Sequence, residues 1–200
     1  MRHLLLRGLT MAAMASLAAA ANPAQPPALT LILEFQGPHS ARSVVEMKRE
    51  FQEIMKNSGL TFDWKSRAEA AQQSFPNLVL VRFKGKCVLQ PVGYLYDERG
   101  PLAFTYSTDG AVQPYSEVSC DKVVASVRSA MFGGDFARAD LLLGRALGRV
   151  LAHELVHILA KSPEHAREGV AKAALSGTQL ISPDLRLTPG DLERMLYTQP

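Results

Sequence analysis

The chain has 200 residues, 47% of them hydrophobic and 20% charged, with a formal net charge of +3. These values describe an ordinary folded domain with a real core and exclude a disordered or collagen-like chain. No lysine- or arginine-rich run marks a surface for nucleic acid or lipid, so neither partner is expected.

The first 21 residues read as a signal peptide. Arg2 and Arg7 supply the positive region, Leu9 to Ala21 is almost wholly apolar, and Ala18 to Ala21 offers small residues for cleavage. An uncleaved membrane anchor is the alternative, but the apolar stretch falls short of the ~20 residues that span a bilayer. Export to a secreted or periplasmic location is therefore expected, without stable membrane association after cleavage. Residues 22–28, with Pro23, Pro26 and Pro27, form a short linker. In an oxidising compartment the two cysteines, Cys87 and Cys120, are expected to pair, tying two strands together; a thiolate at Cys120 ligating metal is the alternative.

Leu29 to Phe35 is a short apolar run suited to a buried strand. Ser40 to Asn57 has helical spacing, with Ser43 and Glu46 available as a capping box and Gly59 as a C-cap. Leu60 to Trp64 reads as a second strand, Ala68 to Gln73 as a helical turn, and Asn77 to Phe83 as a third strand. Asp97 to Pro101 is a turn. Leu102 to Ser107 is a strand that Asp109-Gly110 turns into Ala111 to Cys120. Cys120 to Met131 is helical, closed by Gly133-Gly134, with Asp135 available to cap the next helix. Ala139 to Ala160 is a long, strongly periodic helix, stopped at Ser162-Pro163. Thr188-Pro189 opens a last short helix. The fold class is α+β: a mixed sheet packed on helices, a long active-site helix, and a small irregular C-terminal part. Residues 29–161 form the main subdomain and 162–200 the C-terminal one.

The long helix contains His153-Glu154-Leu155-Val156-His157. Histidines four apart on a helix project from one face, where two neutral imidazoles can reach a single Zn²⁺. Glu154 lies on a neighbouring azimuth, placed to act as general base on a zinc-activated water attacking a peptide carbonyl. Surface histidines on an amphipathic helix are the bland alternative. Three of the chain's five histidines fall between positions 153 and 165, which argues against it. His165, just beyond Pro163, is the favoured third ligand; Glu168 and Glu164 are the alternatives, since zinc also accepts two histidines and a glutamate.

These residues resemble the zincin metallopeptidases, and among them the metzincins, whose pattern is His-Glu-x-x-His-x-x-Gly-x-x-His. His153, Glu154 and His157 match it. Ala160 stands at the glycine position, Pro163 at the third histidine, and His165 comes two residues late. The resemblance implies a strand between Leu102 and Ser119 as the sheet edge beside a cleft, open to an extended peptide. It also implies a methionine turn, for which Met195-Leu196-Tyr197 has the form but sits in a helical segment; Gly169 to Lys172 could floor the site instead. The expected protein is a secreted, zinc-dependent metallopeptidase acting on a peptide or protein substrate. The alternatives are a non-catalytic zinc-binding or interaction module, and a hydrolase of a non-peptide cell-wall amide. A cysteine upstream of the motif also suggests the peptide deformylases, whose other sequence marks are missing.

Overall fold

The computed structural model describes residues 28–89 and 100–197. The expected signal peptide and nearly all of the linker, and the turn residues before Gly100, lie outside them.

β1 (Ala28–Phe35) pairs in parallel with β2 (Thr61–Ser66) on one side and β3 (Leu78–Lys84) on the other. β3 pairs in parallel with β5 (Ala111–Ser119), and β4 (Ala103–Thr108) closes the sheet as an antiparallel edge, giving the order β2-β1-β3-β5-β4. The sheet is therefore mixed, and the α+β reading stands. Strand alternation sends Leu31, Val81, Phe83 and Val118 into the helix-covered core. The other face carries Glu34, Arg82 and Glu117, with Arg82 paired to both carboxylates at 3.3 Å. The β4–β5 hairpin turns at Asp109 and Gly110, whose φ values of 51° and 79° are those of a type I′ turn.

Two helices pack on the sheet, α1 (Ala41–Met55) and the long α4 (Ala139–Leu159). Ser40 caps α1, accepting from the Ser43 amide, so the cap lies three residues before the expected Ser43. The helices meet through small residues. A Cβ on Gly144 would lie 2.5 Å from the Ser43 carbonyl oxygen, and one on Gly148 2.6 Å from that of Met47. Only glycine permits this backbone approach. On the same helix Arg149 is fully buried, pairing with Glu50 of α1 at 2.8 Å and donating to the carbonyl of Gln179. Arg145 donates to the carbonyls of Ile181 and Ser182. A buried guanidinium such as that of Arg149 is costly unless its hydrogen bonds are met, and the two arginines together fasten residues 179–183 to α4.

Shorter helices fill the remaining connections. α2 (Arg67–Ala70) is a single capped turn, α3 (Cys120–Ser129) comes directly after β5, and a 3₁₀ segment (Gly133–Arg138) leads into α4. α5 (Gly177–Ile181), which no periodicity marks, starts at a Ser176–Gln179 capping box. α6 (Pro189–Tyr197) starts where Thr188-Pro189 indicated. Cys87 and Cys120 form a disulfide. It joins the loop after β3 to the first residue of α3, not strand to strand, and it leaves no Cys120 thiolate for a metal. No helix of the described residues is long and apolar enough to cross a membrane.

Candidate metal centre

α4 brings His153 and His157 to one face, one turn apart. Each ring is fixed from outside the helix. His153 Nδ1 lies 2.8 Å from the Val170 carbonyl oxygen, and His157 Nδ1 lies 2.8 Å from that of Ser162. A carbonyl only accepts, so both Nδ1 atoms carry hydrogen. Burial pulls the His153 pKa down to about 4 and lowers that of His157, so near neutrality both rings are neutral. Both Nε2 atoms are then bare, and they face each other at 3.1 Å. Two lone pairs so placed repel, and a cation between them turns repulsion into bonding. Two nitrogens on one tetrahedral Zn²⁺ stand about 3.3 Å apart, from bonds of ~2.0–2.1 Å. The donors fit the ion.

His165 lies in the loop beyond the helix end, where Lys161 takes a positive φ of 47° and turns the chain back. Its ring centroid is 4.7 Å from that of His157 and 5.2 Å from that of His153. The three histidines each offer a ligand atom, all within 4.8 Å of one another. Among the described residues no other side chain joins this group; Glu164 and Glu168 are exposed and lie outside it. Val170, whose carbonyl fixes His153, is fully buried, and the Ala166 amide donates to the Ala171 carbonyl within the same segment. Met195 is buried within α6, a helix rather than a turn.

Glu154 is 5% exposed. Its carboxylate accepts from the Thr105 hydroxyl of β4 at 2.5 Å, and Thr105 in turn shares a hydrogen bond of 2.7 Å with Ser116 of β5. Burial outweighs that bond and pushes the Glu154 pKa up to about 7. A carboxylate poised near neutrality is suited to proton exchange. Sequence reading missed Thr105, because nothing in a strand of alternating small and aromatic residues says which hydroxyl will face the long helix.

Glu154 and the histidines line a cleft of about 950 Å³. One wall is β4 and residues 100–102, another is a face of α3, and the third is residues 172–175. Among the described residues β4 pairs with β5 alone, and its other edge borders the cleft.

No family model and no curated protein matches the chain in sequence. Among solved structures it is similar to the archaemetzincin of Methanopyrus kandleri, with a TM-score of 0.54 and 12% identity over 88% of this chain and 97% of that one. At that identity the likeness is one of fold.

Proposed function

We propose that this chain is an exported zinc metallopeptidase, with His153, His157 and His165 holding the metal and Glu154 as general base. The observation that carries the reading is the pair of bare Nε2 atoms converging at 3.1 Å beside a buried carboxylate. The archaemetzincin-like fold supports the same class of enzyme. A disulfide is consistent with an extracellular location.

Zinc, when bound, supplies a Lewis acid that polarises a carbonyl and lowers the pKa of water towards ~7. The chain's own groups supply the rest. Val170 and Ser162 hold the two rings by their Nδ1–H groups, presenting Nε2 to the metal. Thr105 anchors Glu154 at Oε2, leaving Oε1 to take the proton from the attacking water and return it to the leaving amine. An extended peptide can add by main-chain hydrogen bonds to the edge of β4 that no described strand pairs with.

The test is metal analysis combined with peptide digestion. Wild type is expected to hold one zinc per chain and to cleave a diverse peptide library. Glu154→Gln is expected to keep the zinc and lose about 10²–10⁴-fold in rate. Wild type without zinc would sink the whole reading. Zinc without cleavage would leave a non-catalytic zinc-binding module.

A further inference from the structure

The cleft's charge is lopsided. Among the described residues its ionisable walls, apart from the histidines, are Lys122, Lys172 and Glu154, and Glu154 is buried and tied to Thr105. Lys122 sits on α3 with Ala125, Ser126 and Ser129, a spacing that puts all four on one helical face towards the cleft. Three of these are small and clear room; the fourth is cationic. The Lys122 ammonium lies so close to residue 100 that a Cβ added to Gly100 would meet it at 3.0 Å, which holds it at the β4 end of the cleft. Lys172 stands on the opposite wall, two residues past the Val170 carbonyl that fixes His153. Both lysines are half-buried, and no carboxylate among the described residues pairs with either. Half-buried ammonium groups that no described carboxylate neutralises favour a ligand that brings a negative charge. A bound divalent cation adds to the same field.

We infer that Lys122 and Lys172 make this cleft select acidic peptides, in which carboxylates flank the bond to be cut. The inference rests on the peptidase reading of the same site. The carboxylates can come from Asp or Glu side chains or from a free chain terminus, and both give the same attraction.

The test uses matched fluorescent peptides: one with Glu flanking a central apolar pair, one with Gln at those positions, each made with a C-terminal acid and a C-terminal amide. Binding to zinc-loaded Glu154→Gln protein is read by anisotropy, and cleavage by the wild type is read separately. The Glu peptides are expected to bind roughly tenfold tighter than the Gln peptides at low salt, the gap closing as salt rises. A preference set by the terminal acid instead of the side chains would assign the carboxylate to a chain end. Lys122→Met and Lys172→Met, combined, should bring the acidic-to-neutral ratio towards one, while the Lys→Arg pair keeps it. Equal binding of all four peptides, or an undiminished acidic-to-neutral ratio in a folded Met pair, overturns the inference. Selective binding without any cleavage would uphold it and sink the peptidase reading instead.

Discussion

The Thr105 hydroxyl reaches from β4 to the Glu154 carboxylate across 2.5 Å, joining the sheet to α4 at the residue proposed as base. Thr105→Val removes the donor and leaves a buried carboxylate acceptor unmet, at a cost of about 1–3 kcal/mol. Thr105→Ser keeps the hydroxyl and should recover most of that loss. Denaturant unfolding of metal-free protein checks both; a Val variant as stable as wild type at pH 8 would show that the bond carries no weight.

The pH dependence of the metal-free protein is set by two opposed shifts. Glu154 has its folded pKa raised to about 7, so its contribution to stability is whole below its unfolded value of 4.5 and is lost as pH rises through 7. His153 has its folded pKa lowered to about 4; its contribution is whole above 6.5 and is lost as pH falls towards 4, and His157 acts in the same direction. The Glu154 and His153 shifts are each worth about 3 kcal/mol at 1.36 kcal/mol per unit. Between pH 4.5 and 6.5 these two oppose each other in the wild type, and His157 adds to the rise with pH. Glu154→Gln removes the opposing one, so its stability should climb with pH across that window more steeply than that of the wild type. Parallel curves for the two proteins would refute the assignment.

Much of this was legible in the sequence, and the reason is period. The apolar, β-branched run within Asn77 to Phe83 and the Asp109-Gly110 turn are local signals, and strand and hairpin formed there. The four-residue spacing of His153 and His157 needs only a helix to bring the rings together, and α4 supplies it. What stayed hidden depends on contacts distant in sequence. Arg149 reads as a surface charge until Glu50 and the 179–183 carbonyls surround it. Lys122 and Lys172 read as solvated charges until α3 and the 172–175 segment bring them to one cleft. The five-residue α5 is too short to show a period.

His165 is the exposed member of the histidine group, on a loop instead of a helix. His165→Ala should weaken zinc by at least about a hundredfold, exceeding the 10–100-fold typical of groups that only orient a ligand. Glu164→Ala and Glu168→Ala should leave affinity unchanged. Competition titration against a chelator measures all three, and a loss confined to Glu168→Ala would move the third ligand there.

Gly148 sets two effects against each other. Alanine gains about 1 kcal/mol in helix propensity. Its Cβ, however, would lie 2.6 Å from the Met47 carbonyl oxygen, and α1 can yield only by moving backbone. Overpacking of that kind costs about 1–3 kcal/mol, so Gly148→Ala should lower Tm. Gly134→Ala is the control, since nothing lies within 4 Å of its added Cβ. A higher Tm for Gly148→Ala would show that the two helices are free to move apart.

The disulfide spans 33 positions of sequence and fixes the loop after β3 to the start of α3. Closing a loop of that length in the unfolded chain is worth about 4 kcal/mol in the chain-entropy view. Both cysteines are buried, at 1% and 0% exposure, so their loss also opens the core. The double variant Cys87→Ser/Cys120→Ser should therefore unfold at markedly lower denaturant. Because α3 supplies the cleft wall bearing Lys122, it should also lose the preference for acidic peptides before it loses zinc, whose proposed ligands lie on α4 and the loop after it. Thermal melts with and without reductant, together with zinc analysis of the reduced protein, separate the two: zinc lost together with the wall would place the bridge under the metal centre itself.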